Sequence, residues 1–291
     1  MNASTLTGWR KATIVVLLLL PGIGLIFLLV GSVIVMAIAQ SFGYFNLAGA
    51  SGFSLDYWSN QLASRLLWSS VFYSLRIAFV AAILSVALAY PIALWLRHPF
   101  PGSASVSALL KAPMMVPGLV AAFLFINIIS FHGFLNEALL GLGLIAAPMR
   151  LQNDRYGFGV MFLQVWKNMP FALLLLTGAV NSIHSDIIDA ARDLGAGAWA
   201  RFRKIVLPLT LRAMQGALII IFIGAAGDYS FQVVAGPAKL SSLAQYMYTV
   251  QHDFGQWNDA AVVAIMLMAV ALTGSLFLAA MAQLVVTGRR S

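Results

Sequence analysis

Four ionisable side chains stand inside long apolar runs of this 291-residue chain: Arg76, Lys111, Lys167 and Asp228. A charge in such a run is costly and normally faces a bundle interior or a water-filled cavity. These positions therefore mark ion pairs or a solute path rather than lipid contact. Asp228 has the richest surroundings. Gly224-Ala-Ala-Gly-Asp-Tyr-Ser-Phe-Gln232 puts an acid, a phenol, a hydroxyl and an amide beside small residues that let backbones approach. An acid there would attract an amine or another cation, or pair with Lys167 or Arg76. Tyr229 and Gln232 join it as candidate path residues. Trp166, Lys167 and Asn168 form a second polar group just before Pro170, a proline that frees a carbonyl and breaks the apolar run at that point. Lys111, near the end of its run, is expected to snorkel, and Arg76 to serve a structural pair.

None of these groups suggests bond-breaking chemistry. A GxxxxGK[ST] phosphate loop is absent, so the chain itself should not bind ATP, and no Ser-His-Asp, His-Glu-x-x-His or paired-carboxylate pattern occurs. With no cysteine there is no disulfide framework, thiol nucleophile or thiolate metal site, and four scattered histidines do not suggest a metal centre. The expected fold class is set by composition. At 61% hydrophobic and 9% charged residues, the chain reads as an all-α polytopic membrane protein. A net charge of +8 could point to nucleic acid, but the basic residues cluster at the ends of apolar runs. That pattern suits lipid headgroups and membrane orientation, so the partner is the bilayer and not nucleic acid.

Six spans are expected to position the polar groups: about 13–39, 66–96, 107–131, 157–183, 213–234 and 259–286. A segment 1–12 precedes them and a tail 287–291 follows. The first apolar run is too long for the core of a cleaved leader despite Ala37-x-Ala39, and is expected to stay as a span. Pro113 and Pro117-Gly118 interrupt the third run, and Phe134–Leu144 is amphipathic enough to lie along the membrane surface. Six spans put both termini on one side. That side carries Arg10, Lys11, Arg97, Arg192, Arg201, Arg203, Lys204, Arg212, Arg289 and Arg290; the other carries Arg65, Arg150, Arg155 and Lys239. The excess of basic residues is expected to place the termini and the 184–212 loop in the cytoplasm.

That loop holds the densest run of charge, Asp189–Pro208, reading DAARDLGAGAWARFRKIVLP. Ser182 or Ser185 is the expected N-cap of a first helix, with Asp186 and Asp189 near its positive end and Ile187, Ala191 and Leu194 on one face. Gly195 sits where a helix ends in a left-handed residue. A second helix puts Trp199, Phe202 and Ile205/Val206 on one side and Arg201, Arg203 and Lys204 elsewhere; Pro208 is expected to end it. This elbow resembles the EAA loop of the permease subunits of ATP-binding-cassette importers. Asp189-Ala190-Ala191, Gly195-Ala196, Phe202 and Ile205-x-Leu207-Pro208 carry the likeness, with Asp189 standing where the family has Glu. Gly133–Gly143, and Gly227-Asp-Tyr followed by Ala235-Gly-Pro237, are similar to the spermidine/putrescine branch.

The resemblance implies a type I, binding-protein-dependent importer permease with six transmembrane helices and a cytoplasmic coupling elbow. Asp189, Ala190, Ala191, Gly195, Trp199, Phe202, Arg203 and Pro208 would then couple it to an ATPase. The implied partners are two ATPase subunits, a second and different permease, and a periplasmic solute-binding protein. ATP and magnesium would reside in the ATPase partner, leaving this chain with no cofactor and no catalytic residue. The implied cargo is a small amine-containing or cationic solute, polyamine- or opine-like. The alternative is a secondary transporter that uses Asp228 for ion coupling.

Overall fold

The computed structural model describes residues 8–46, 49–149 and 154–287, with side-chain surroundings between Thr13 and Leu284. The side chains of Arg10 and Lys11, together with Arg150, Arg289 and Arg290, lie outside the described residues. Among those described there are helices and no strands. Helix α1 (Gly8–Ser41) is followed by short α2 (Asp56–Ala63), long α3 (Arg65–Trp95) and α4 (Ser103–Lys111). A 3-10 turn, Ala112–Met115, leads to α5 (Gly118–Ile129), α6 (Phe134–Gly141) and α7 (Phe158–Asn181). The elbow comprises α8 (Ser185–Asp193), α9 (Ala198–Arg201), a π-helical turn Phe202–Val206 and α10 (Leu207–Leu209). Next come α11 (Leu211–Ala226), α12 (Ser230–Ala235), α13 (Leu243–Tyr248), a second π turn Thr249–Asp253 and α14 (Trp257–Thr287). Five helical runs are long and apolar enough to cross a membrane, and a sixth arises if the elbow's second arm and α11 are taken as one bent span.

The bundle is built around α3, which packs on α7 and α11, while α11 also packs on α14. In lipid, apolar character does not itself drive helices together, so close approach decides. Ala78, Ala81, Ala82, Ala89 and Ala93 of α3 are fully buried, and Ser85 lies in the same stripe. Ile83, Leu84 and Leu88 on the other face are about half exposed, as a lipid-facing side requires. The largest buried side chain, Phe222 of α11, meets Phe79 edge-on at 5.0 Å. It fits because α14 offers Gly274 opposite it, where a Cβ would lie 2.3 Å from the Phe222 ring. Helix α1 is apolar around its circumference and touches mainly α14, leaving Leu18 and Phe27 about three-quarters exposed.

Helix bounds differ from the sequence-based expectation in the fourth and fifth runs, while the third is interrupted where its prolines lead one to expect. The third run is not one helix: α4 stops at Lys111 and α5 starts at Gly118, because Pro113 and Pro117 remove two consecutive opportunities for a helical rung. The fourth run is expected to break at Pro170, yet α7 continues through it. A proline removes one backbone bond and leaves the turns on either side to hold the axis, and buried neighbours such as Leu173 and Leu176 keep this segment in the core. In the fifth run, α11 ends at Ala226 and the chain turns at Gly227-Asp228-Tyr229 before α12.

The Phe222–Gly274 fit yields a direct test. Gly274→Ala should overpack the α11–α14 contact and cost about 1–3 kcal/mol. Thermal unfolding of the purified protein in detergent should show this loss, with most of it recovered in the Gly274→Ala/Phe222→Leu pair.

Candidate functional site

The elbow begins where α7 ends. Its first arm, α8, starts after His184, with Ser185 as the first helical residue; no side chain caps the helix. Ser182 instead closes α7, and the Ser185 hydroxyl points at Asp186. The expected serine cap is therefore absent, and Asp186 in the first turn supplies the negative charge that the helix start favours. Asp189 pairs with Arg192 at 3.0 Å along the arm, both partly exposed. Ala190 and Ala191 occupy the turn between them. The arm ends in a reversal at Gly195, whose φ of +80° is left-handed and free for glycine alone. Ala196 N–H donates back to the Ala191 carbonyl at 2.9 Å, and Arg201 Nη1 donates to the Ala196 carbonyl at 2.9 Å, closing the reversal from the second arm.

The second arm does not stop at Pro208. Leu207 keeps helical dihedrals, and Pro208 lies in the first turn of α10, where its lack of an N–H costs nothing. The π turn before it shifts the bonding by one residue, with the Leu207 N–H reaching Phe202, and so accommodates the proline inside a continuous arm. The arm ends instead at Thr210, where the axis bends by 66° into α11. Thr210 is fully buried; its hydroxyl donates to the Val206 carbonyl at 2.8 Å and meets the hydroxyl of Tyr90 on α3. Phe202 stands edge-on to Tyr90 at 5.4 Å and stacks on Trp199. Phe202 thus turns inward and anchors the arm, while Trp199 is 69% exposed and Leu194 88% exposed. Arg203 and Lys204 point outward beside them. Arg97, at the end of α3, donates to the Ile183 carbonyl at 2.8 Å and ties the elbow's other root. Tyr90, Arg97 and Thr210 carry no motif, and only the fold shows that they converge on the elbow.

The polar groups at depth form two sites. Asp228 is half-buried between α11 and α12, and its carboxylate accepts the Phe231 N–H at 3.0 Å while facing those of Ser230 and Gln232. It caps α12. Gln232, buried one turn later, accepts a hydrogen bond from the Tyr73 hydroxyl at 2.9 Å. Gln164 of α7 faces the Asp228 carboxyl and accepts from Asn168 at 2.9 Å. The Nε2 groups of Gln164 and Gln232 are buried without a hydrogen-bond partner. Tyr229 lies outside this node, 5.1 Å from the Tyr248 ring.

Neither expected cation joins Asp228. Arg76 donates to the Tyr156 carbonyl and lies over the Tyr73 ring, 5.5 Å from its centroid. Lys167 is taken by three carbonyls of the α4–α5 break, those of Pro113, Met114 and Val116. Backbone groups compete for these cations because helix breaks leave them unpaired at membrane depth. Trp166, beside Lys167, is 38% exposed in an apolar cleft of about 720 Å³ that also includes Pro113, Met169 and Pro170.

This arrangement of a bent elbow on a helical bundle is shared with known proteins. Residues 85–290 match the family described as binding-protein-dependent transport system inner membrane component. The chain belongs to this family. It is an inner-membrane transport component, the permease subunit of an ABC importer, and ion-coupled carriage is set aside as the alternative. Its similarity to the spermidine/putrescine transport system permease protein PotB of Haemophilus influenzae is 26% identity over 62% of each chain. It is 31% identical to the thiamine transport system permease protein ThiP of Brucella suis, over 84% of this chain and 42% of that one. The matches thus span less than two thirds of either relative. A bacterial ABC transporter involved in the import of the acidic polysaccharide alginate shares the fold, with a TM-score of 0.76 and 17% identity over 94% of this chain and 96% of that one. Its complex with a pentasaccharide-bound periplasmic protein gives a TM-score of 0.74, with 18% identity over 92% of this chain and 93% of that one.

The Tyr90–Thr210 contact separates two outcomes in this permease. Tyr90→Phe leaves Thr210 its bond to Val206 and should change stability by less than about 1 kcal/mol. Thr210→Val strands a buried phenol and should cost about 1–3 kcal/mol, most of it recovered in the double variant. Thermal unfolding of the three variants checks the order.

Proposed function

We propose that the Asp189–Pro208 elbow docks this permease on an ATPase subunit, and that the observation carrying this reading is its exposed apolar face. Ile187, Leu194 and Trp199 stand 45–88% exposed on an element that is otherwise charged and fixed at both roots. Such a patch, rimmed by Asp189, Arg192, Arg203 and Lys204, is shaped for a protein groove. Ala190 and Ala191 keep the first arm slim beside it, Gly195 sets the reversal, Phe202 braces it from within and Pro208 lies in the second arm's last turn.

In the assembly we propose, two ATPase subunits hold ATP and magnesium, a second and different permease completes the path, and a periplasmic binding protein delivers the solute. Both termini and the elbow lie in the cytoplasm. ATPase closure moves the elbows and biases the paired permeases toward an outward-open state. The elbow is a rigid lever in this scheme: its roots are bonded to α3, so a displacement at Trp199 is felt at Tyr90 and Arg97.

The cargo we propose is a small organic cation. The solutes in the names of the two relatives, spermidine/putrescine and thiamine, are all positively charged at neutral pH. An acid, Asp228, also stands at the break between α11 and α12. In this reading Asp228, Tyr229, Gln232, Trp166, Lys167 and Asn168 belong to the path, with Asp228 acting largely through the placement of α12.

Reconstituted transporter with solute-loaded binding protein tests both parts. At Gly195 the space where a Cβ would go is open, so the penalty on most side chains comes from the left-handed backbone, about 1–2 kcal/mol, and from the partner's groove. Gly195→Asn tolerates that backbone and should retain stimulated ATP hydrolysis, whereas Gly195→Trp should abolish it. Normal hydrolysis by Gly195→Trp would reject the docking surface. For the cargo, Asp228→Ala should cut transport of a di- or polyamine about tenfold or more, a loss on the scale of one charge-assisted hydrogen bond. Unchanged uptake would remove the acid from the path.

A further inference from the structure

The break between α4 and α5 has an unusual occupant. Pro113, within the 3-10 turn, and Pro117, just after it, both lack an N–H, and the turn closes with the Val116 N–H donating to the Pro113 carbonyl at 3.3 Å. Pro117 has no N–H to give the Met114 carbonyl, and the Val116 carbonyl lies ahead of α5, whose first helical bond is accepted by Pro117 from the Ala121 N–H. The break thus leaves the carbonyls of Met114 and Val116, and the second lone pair of Pro113, facing a donor at membrane depth, where an unmet carbonyl is costly.

The ammonium of Lys167 meets them. It donates to the carbonyl of Pro113 at 2.8 Å, to that of Met114 at 3.1 Å and to that of Val116. A primary ammonium has three protons and no acceptor, so three converging carbonyls satisfy it completely. The carbonyls close the C-terminal end of α4, where the helix dipole is negative and favours a cation. No carboxylate among the described residues lies within ion-pair distance of Lys167, so the charge is held by backbone dipoles alone. Unwound carbonyls at the end of a half-helix are the groups with which ion-coupled carriers hold sodium. Here a tethered amine fills the equivalent position.

We propose that the carbonyls of Pro113, Met114 and Val116 form a primary-ammonium site whose resident ligand is the Lys167 side chain. Lys167 is on this account a positioning residue that fixes the α4–α5 break to α7, and not a group that contacts the cargo. This refines its place in the path described above. Removing the tether leaves a vacant site beside the apolar cleft that contains Trp166 and Met169, open to a free small primary ammonium ion. A quaternary ammonium of similar charge has no proton to donate and is excluded.

The test uses thermal unfolding of the assembled transporter, a readout independent of cargo identity and of elbow docking. Lys167→Ala should lower the midpoint by about 3 °C or more. Methylammonium should restore at least half of that loss, tetramethylammonium at the same ionic strength should restore none, and the unsubstituted protein should respond to neither. Equal effects of the two ions, or none, would overturn the site. Extraction is carried out in methylammonium throughout, and failure of Lys167→Ala to assemble there also counts against it. Because the chain has no cysteine, Lys167→Cys supplies its single thiol. Coupling an aminoethyl arm to that thiol should restore the midpoint, and coupling a trimethylammonioethyl arm should not. Restoration by both arms would reduce Lys167 to bulk or charge.

Discussion

Hydrocarbon offers no partner to a backbone N–H or carbonyl, and this constraint organises the chain more than apolar packing does. An uninterrupted helix satisfies itself, but a transporter needs bends. Each of three bends here is answered by a polar side chain, local or from another helix. Lys167 of α7 takes the carbonyls freed between α4 and α5. Asp228 takes the N–H groups at the start of α12. Thr210 takes the Val206 carbonyl at the 66° bend and is itself held by Tyr90. The same device recurs at the margins, where Asn136 bonds the carbonyls of Ser130 and Met149, and Asn258 that of Gln40.

These partners account for the scarcity of ion pairs. Only two are found among the described residues, and neither involves Arg76, Lys111, Lys167 or Asp228. A buried pair pays desolvation twice and recovers it only with good geometry, whereas a charge that meets several backbone dipoles also removes their own unmet cost. The intramembrane charges look functional in the sequence, and in the structure Lys167 and Asp228 both bond backbone groups at helix breaks. Buried polar atoms without a hydrogen-bond partner remain, and two of them, the amide nitrogens of Gln164 and Gln232, belong to residues around Asp228.

The shape of the elbow is set by local rules: a left-handed glycine, a back-bonding Ala196 and a π turn that admits Pro208. Its apolar residues are then free to face outward. It is anchored at both roots, through Arg97 to the Ile183 carbonyl and through Thr210 to Tyr90 of α3. Helix α3 carries the fully buried alanine stripe on which α7 and α11 pack, so the elbow is tied to the helix at the centre of the bundle.

Much of this was legible in the residues. Long apolar runs, charge at their ends and the spacing from Asp189 through Gly195 to Pro208 determine an all-α membrane bundle with an importer-type elbow, because hydropathy, the left-handed turn and a family's spacing are local properties. Proline was legible only as a disturbance: Pro113 and Pro117 break a span, Pro170 leaves α7 continuous, and Pro208 sits inside an arm that continues past it. The bond a proline removes is fixed by the sequence, but whether the chain then bends depends on what can meet the freed carbonyl. The pairing of Asp228 with Lys167 or Arg76 failed for the same reason, since opposite charges predict attraction but not the competing backbone groups brought near by the fold. Tyr90, Arg97 and Thr210 lie up to 120 positions apart and meet only because α3 runs past both roots of the elbow. Sequence determined which groups need partners. The tertiary structure decided which partners they have, because that depends on distances between helices that no local pattern contains.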